Sequence, residues 1–496
     1  MRPAARPLTG LEHAFVRYES RLPVGNLQIG GLSSFAGRPP ELVDVRRFVA
    51  AKLDALPALS SALRREGGRL RWVRRSGADP ARHVHEWVAA PGGLRAAADA
   101  IMARRLVRGA PPWEFWLVRG HADDEWAILF KAHHALLDGA SLIEATCLLA
   151  GRAPDRPPAP RRARRVRRAD LGTVARGAVG YLARFLPPAT RAFSTAGRTG
   201  QRRFAWTTTS AARLRELADA HGCTRNDVFL AALAAVLREW PHTPWRRGAR
   251  PVWTLVPVDL HDRHEDHELR TRVVNLRVPL PCDEPDPLRR LRAIGRATAR
   301  AKGDGRIGVA GAAERSLPGW FVRAVFALTF SRAHIDLLAS NVRGPRWVLE
   351  YEGVPLERMA PLGFVPRGHP LAAYLITHDD RVCVGFAVDS SLPDGEELCR
   401  LWQRALDDLD DLAAAAPRAA TDPSPVTDPS PVTDPSPVTD PSPVTDPAAA
   451  GDPAAATERS ATNRPADDRS TADRSAEDRS AEDRPAECPP SPAARC

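Results

Sequence analysis

His133 and His134 are adjacent, and Asp138 and Gly139 follow them within KAHHALLDGAS, residues 131–141. An imidazole has an ordinary pKa of about 6.5, so it is mostly neutral at neutral pH yet basic enough to accept a proton. The pair closes the apolar, strand-like run EWAILF, and a helix-like pattern follows the Asp-Gly step. That order gives one imidazole a loop-edge position and lets the aspartate anchor the loop through a buried pair or backbone N–H groups. A histidine pair so placed reads as functional more readily than as two core residues. Other signatures fail. GDGRIG (303–308) fits GxGxxG by letter, but a helical pattern precedes it where a dinucleotide site needs a strand. His261, His264 and His267 in HDRHEDH have charged neighbours throughout, so they read as a solvated loop and no metal site is expected. The chain contains neither a GxSxG nucleophile elbow nor a P-loop.

The elements that must position the histidines alternate between helical and strand periods. LVDVRRFVAAKLDALPALSSALRR (42–65) repeats apolar residues at three and four, which predicts a helix, while RLRWVRR and EWAILFKA read as strands. Residues 1–150 therefore form a mixed α/β region. From 151 to 200, proline clusters and six arginines in RRARRVRR read as a linker, followed by a basic amphipathic helix over Leu171 to Leu186. A second α/β region covers 201–415, with a helix over Thr224 to Trp240, strands in PVWTLVPVDL, TRVVNLRVPLP and RVCVGFAVD, and a closing helix in DGEELCRLWQRALDDLDDLA. Residues 416–496, where TDPSPV occurs four times in tandem, have a composition that cannot build a core and are expected to be disordered.

Composition narrows the class. A chain of 496 residues with 43% hydrophobic content is long enough for two or three domains. A net charge of +11 and a pI near 9.9 favour an anionic partner: nucleic acid, a phosphate-bearing cofactor or an acidic membrane face. The seven cysteines form no CxxC pair, and the first five sit in apolar or helical contexts, as buried thiols in a reducing cytosol do. The start MRPAARPLTG lacks the apolar core of a signal peptide, and no run of about 18 apolar residues predicts a membrane span.

HHALLDG fits the HHxxxDG signature of the coenzyme A-dependent acyltransferase superfamily, which includes chloramphenicol acetyltransferase and peptide-synthetase condensation domains. Further segments make the chain resemble one branch, the bacterial wax ester synthase/diacylglycerol acyltransferase family: PLTGLEHAFVRYES, APPWEFWLVRG, RNDVFLAALAAVL, SNVRGP and the D..LPDGEEL closing strand. The sequence departs from that pattern at Pro112, at Val274-Asn275 and at Arg343, which stands where the family motif has a proline. The resemblance implies a mixed α/β fold of two chloramphenicol-acetyltransferase-like lobes with a tunnel between them. It implies His134 as general base, His133 as its support, Asp138 as the residue that holds the loop, and Gly139 as the one that permits its turn. Asn226, Asp227, Ser340 and Asn341 take structural or substrate-positioning roles. It further implies acyl-CoA as a substrate with no permanently bound cofactor, and diacylglycerol or a fatty alcohol as acceptor. The expected setting is cytoplasmic, on the inner face of the plasma membrane or on lipid droplets, with an anionic membrane or droplet surface as partner and no nucleic acid. An amide-forming condensation domain would need a carrier-protein partner, and the Asn-Asp and SNVRGP segments argue against it. An inactive lipid-binding homologue is disfavoured by the intact HHALLDG.

Overall fold

The computed structural model describes residues 5–22, 26–74, 79–151, 189, 198–242, 251–259, 273–303, 319–393 and 395–415. The arginine run, the helix expected over Leu171 to Leu186, HDRHEDH, the rest of GDGRIG beyond Gly303, and the repeat tail lie outside the described residues.

In chain order the first part contains β1 (Ala5–Pro7), α1 (Gly10–Glu19), β2 (Gln28–Ala36), α2 (Leu42–Lys52), β3 (Ser61–Glu66), β4 (Arg69–Arg74), β5 (Val84–Val88), α3 (Leu94–Ala103), β6 (Trp113–Arg119), β7 (Glu125–His133) and α4 (Gly139–Leu149). The second contains β8 (Arg202–Ser210), α5 (Ala211–Ala220), α6 (Arg225–Glu239), β9 (Val252–Asp259), β10 (Val273–Leu280), α7 (Pro287–Gly303) and α8 (Gly319–Thr329). It continues through β11 (Leu337–Arg343), β12 (Glu350–Tyr351), β13 (Val354–Leu362), β14 (Leu371–His378), β15 (Arg381–Asp389) and α9 (Glu396–Ala415).

Two mixed six-stranded sheets organise these elements, in the orders β12-β13-β2-β7-β6-β5 and β10-β9-β11-β14-β15-β8, beside a small sheet β1-β4-β3. The chain leaves the second sheet after β11, lends β12 and β13 to the first, and returns as β14. Pairing β13 with β2 closes a very long loop, but closure entropy grows only by about 0.6 kcal/mol per doubling of loop length. Leu356, Met359 and Leu362 are buried in return, and each contributes roughly 1.5–3 kcal/mol. Burial wins.

Alternation along the strands divides the cores. Leu338 on β11 and Ile376 on β14 face the core shared with the first sheet, whereas Leu337, Ala339 and Leu375 face the core that holds the buried side of α6. The helix starts are legible chemically. Thr9 and Glu12 form a capping box at α1, and the Glu12 carboxylate also accepts from Arg6 and from Trp72 Nε1, tying α1 to β1 and β4.

One expectation fails. The helix read over residues 42–65 ends at Lys52. Two short 3-10 turns follow, the second opened by Pro57, and Ser61–Glu66 is a strand that pairs antiparallel with Arg69–Arg74. Pro57 removes a helical N–H donor, and Gly67 and Gly68, at φ 55° and 76°, supply the left-handed turn that a two-residue hairpin needs.

Candidate active site

The histidine pair is fixed first by its backbone. β7 runs against β2 as far as the pair His133 and Gln28, and His133 N–H donates to the Pro112 carbonyl at 2.9 Å. One residue on, His134 N–H donates to the Leu27 carbonyl, also at 2.9 Å. The His133 carbonyl then accepts from Leu136 N–H at 2.8 Å, turning the chain out of the sheet. Asp138 ends the turn as the N-cap of α4: its side chain accepts from Ser141 N–H and its carbonyl from Leu142 N–H, both at 2.8 Å. It is 1% exposed.

Gly139 does not make the turn. It is the first residue of α4 and has no positive φ. What requires glycine there is proximity, because a Cβ would lie 2.9 Å from Val342 Cγ2 on β11. The start of the motif helix is thus packed on the SNVRGP strand.

The two imidazoles have different surroundings. His133 is buried; its Nδ1 accepts from Ala135 N–H at 3.0 Å, so the proton sits on Nε2, which faces Glu19 Oε2 at 3.2 Å. Glu19 Oε1 accepts from Leu27 N–H at 2.9 Å. Burial pushes the Glu19 carboxyl up, yet the hydrogen bond and electrostatic attraction of His133, the Leu27 N–H and the charge of Arg105 together outweigh it and hold the group at about 2. Glu19 therefore fixes Leu27, and Leu27 fixes the backbone of His134. His134 itself stacks on Phe15, with ring centroids 4.3 Å apart and an interplanar angle of 11°, and meets the edge of Phe364 at 5.4 Å. Burial pushes its imidazole down to about 4; its backbone hydrogen bond opposes this and His133 adds to it. At neutral pH the ring is neutral.

Arg202 on β8 clamps the segments on either side. It donates to the Gln28 carbonyl at 3.3 Å, the Gly363 carbonyl at 2.9 Å and the Asn26 side chain. Burial holds its guanidinium down at about 10. Gly363 in turn precedes Phe364, whose carbonyl accepts from the Tyr374 hydroxyl.

The second set of sequence-selected residues divides. Asn226 Oδ1 accepts from Asn341 Nδ2 at 3.3 Å, joining the first turn of α6 to β11. Ser340 pairs with Tyr374 in the β11–β14 ladder. Asp227 serves the helix: its Oδ2 accepts from Thr224 N–H and hydroxyl at 3.0 and 2.6 Å, and its Oδ1 from the Thr298 hydroxyl on α7 at 2.6 Å. It is buried there. The structure brings His134, Gly139 and β11 into one neighbourhood and leaves Asp227 in the framework. Phe15, Glu19, Phe364 and Arg202 were missed from sequence. Phe15 and Glu19 carry a faint signal, since positions i and i+4 share a helix face; for Phe364 and Arg202 there is none.

Four of the first five cysteines, Cys147, Cys282, Cys383 and Cys399, are buried and outside any disulfide, and Cys223 is half-buried. Among the described residues no helix is long and apolar enough to cross a membrane, and no three His, Cys, Asp or Glu side chains gather as metal ligands.

Residues 8–187 match the wax ester synthase/diacylglycerol acyltransferase catalytic domain, and residues 271–410 match the C-terminal domain of the same family. The chain is 28% identical over 432 residues to the probable diacyglycerol O-acyltransferase tgs1 of Mycobacterium tuberculosis (strain ATCC 25618 / H37Rv), covering 77% of this chain and 90% of that protein. Among solved structures, the wax ester synthase/diacylglycerol acyltransferase from Marinobacter aquaeolei VT8 superposes with a TM-score of 0.61 at 22% identity, over 82% of this chain and 100% of that one. The first condensation domain of the calcium-dependent antibiotic synthetase shares the fold at 18% identity, with a TM-score of 0.58 over 83% and 97% of the two chains. The catalytic-domain match spans the HHxxxDG loop and the second match covers most of the chain beyond β9: the chain belongs to the wax ester synthase/diacylglycerol acyltransferase family.

Proposed function

We propose that this acyltransferase moves a fatty acyl group from acyl-CoA to the hydroxyl of diacylglycerol or a long-chain alcohol, with His134 as general base. The observation that carries the reading is the His134 ring, half-buried, packed between Phe15 and Phe364 and neutral at physiological pH. The acceptor O–H loses its proton to this imidazole as its oxygen attacks the thioester carbonyl. A tetrahedral oxyanion forms, the C–S bond breaks, and the departing thiolate takes the proton back from the imidazolium. No covalent acyl-enzyme is needed.

A positioned base contributes about 10²- to 10⁴-fold. Orientation of the two substrates supplies much of the remainder, and here the framework of Glu19, Leu27 and Arg202 keeps the imidazole from wandering. In this reading Asp138 and His133 position the base and do not touch substrate. The relatives' names support diacylglycerol as acceptor. A protein of similar fold, the starter condensation domain of rhizomide synthetase RzmA, has been solved with C8-CoA, which supports a CoA thioester as donor. The net charge of +11 and the arginine run at 161–168 support peripheral binding to an anionic membrane or lipid droplet, where apolar acceptors reside. The test is purified full-length protein with palmitoyl-CoA and either dioleoylglycerol or hexadecanol, following free thiol and neutral lipid together. Thiol release that depends on acceptor, with matching ester, is the expected result; thiol release without ester contradicts it.

A further inference from the structure

The Asn226–Asn341 hydrogen bond has a consequence beyond joining α6 to β11. It sets Arg225, the first residue of α6, beside Arg343, two residues along the same face of β11 from Asn341. Arg346 follows after a turn that is pinned by Gly344 N–H to the Thr377 carbonyl at 2.8 Å and by Asp379 N–H to the Pro345 carbonyl at 3.0 Å. Arg225 is half-buried, while Arg343, Arg346 and Arg215 of α5 are exposed. Burial and the positive charges of Arg343, Arg215 and Arg346 all push the Arg225 guanidinium down, and Asp219 is the acidic group that opposes them. Arg213 of α5, by contrast, pairs with Asp407 and Asp410. None of these four forms an ion pair or side-chain hydrogen bond among the described residues. Like charges held together in excess over the nearby acid Asp219 raise the free energy of the empty site and focus a field that a polyanion relieves.

We propose that Arg225, Arg343 and Arg346, with Arg215, form a phosphate-binding site that takes the pyrophosphate and ribose-phosphate groups of the acyl-CoA donor. The inference rests on acyl-CoA being the donor. Two observations favour this ligand over a lipid headgroup. Val342, the residue between Asn341 and Arg343, is the one packed against Gly139 at the start of the motif helix, so the cluster and the histidine loop flank one end of one strand. A half-buried arginine at a helix start also suits a discrete multivalent ligand better than a flat charged surface. Guanidinium groups match phosphate oxygens in paired hydrogen bonds, so several arginines accommodate several phosphates. Arg343 occupies the position where the SNVPGP motif has proline, so it gives this chain a contact that the motif does not specify.

The experiment uses the full chain and its Arg225→Gln/Arg343→Gln variant. Calorimetric titration with CoA and with pantetheine, which lacks all the phosphates, is run at low and high salt. CoA affinity is expected to fall about tenfold or more in the variant, with pantetheine affinity kept and the salt dependence of CoA binding reduced. In turnover, the ratio of kcat/KM for palmitoyl-CoA to kcat/KM for palmitoyl-pantetheine falls by the same factor. Equal CoA affinity in the two proteins, or equal losses with both donors, overturns the proposal. Loss of binding to phosphatidylglycerol vesicles with CoA affinity unchanged also overturns it, assigning the cluster to lipid headgroups. Arg343→Gln alone, at an exposed position, gives the same test if the double variant does not fold. Arginine-dependent CoA binding by a chain that makes no ester would sink the proposed reaction while leaving this site standing; ester formation with arginine-independent CoA binding would do the reverse.

Discussion

The helices α4 and α6 begin alike and serve different ends. Each has a buried aspartate at its start, Asp138 as the cap of α4 and Asp227 in the third position of α6, and each aspartate accepts backbone N–H groups. At α6 the partnership is closed: Thr224 and Asp227 satisfy each other, and Thr298 takes the remaining oxygen. At α4 the capped helix follows a strand that delivers two imidazoles, and its first residue is pressed on a strand of the other sheet. An acidic residue at a helix start therefore stabilises in both places. What differs is what stands before the cap: at α4 it is the proposed base, a neutral His134 stacked on Phe15.

That contrast can be broken at several strengths. The largest effect is expected from His134→Ala, which lowers turnover by about 10²- to 10⁴-fold while the melting temperature stays close to that of the parent. Glu19→Gln comes next. An amide cannot accept from both Leu27 N–H and His133 Nε2–H, so kcat should fall about tenfold with KM for acyl-CoA little changed, because the imidazole is misplaced and the substrate contacts are not. Gly139→Ala forces Val342 to move and should cost roughly 1–3 kcal/mol in urea unfolding. Val342→Ala in the same chain should restore part of that loss; if it does not, the close approach of α4 to β11 is not what selects glycine. The smallest effects separate the two aspartates. Asp138→Ala and Asp227→Ala each remove a cap and should lower stability by about 0.5–2 kcal/mol or somewhat more for these buried groups. Only Asp138→Ala should also lower turnover per folded molecule. Equal turnover losses in the two would erase the distinction.

The parts of this arrangement that were legible in sequence are those written locally. β7, α4, α6 and β15 lie where apolar period and cap residues put them, and the histidine motif marks its own loop. The β3 strand was misread because SALRR continues a three-and-four spacing that suits a helix, and the signals that overrule it, Pro57 and the Gly67-Gly68 turn, sit at its two ends. The crossing of β13 into the first sheet has no local signature, since any half-buried strand of that composition could pair elsewhere. Phe364 reaches His134 only through that crossing, so its place beside the proposed base could not be read before the fold. Arg202 was hidden for a related reason: an arginine at a strand start reads as surface charge until three carbonyl oxygens of another sheet's segments surround it.

The pH dependence of kcat/KM tests the central claim most directly, because burial should make His134 behave unlike an ordinary histidine. Its folded pKa lies near 4, against about 6.5 unfolded. The unfolded chain therefore binds a proton below pH 6.5 that the native ring refuses, and stability falls as pH drops from 6.5 toward 4. Initial rates measured above the acid unfolding midpoint, which circular dichroism locates in the same buffers, should stay level through pH 6.5 and decline only toward pH 4. A clean acid limb centred near pH 6.5 in fully folded protein would show that the proton acceptor is an ordinary solvated imidazole, and would contradict the half-buried, neutral His134 as the base.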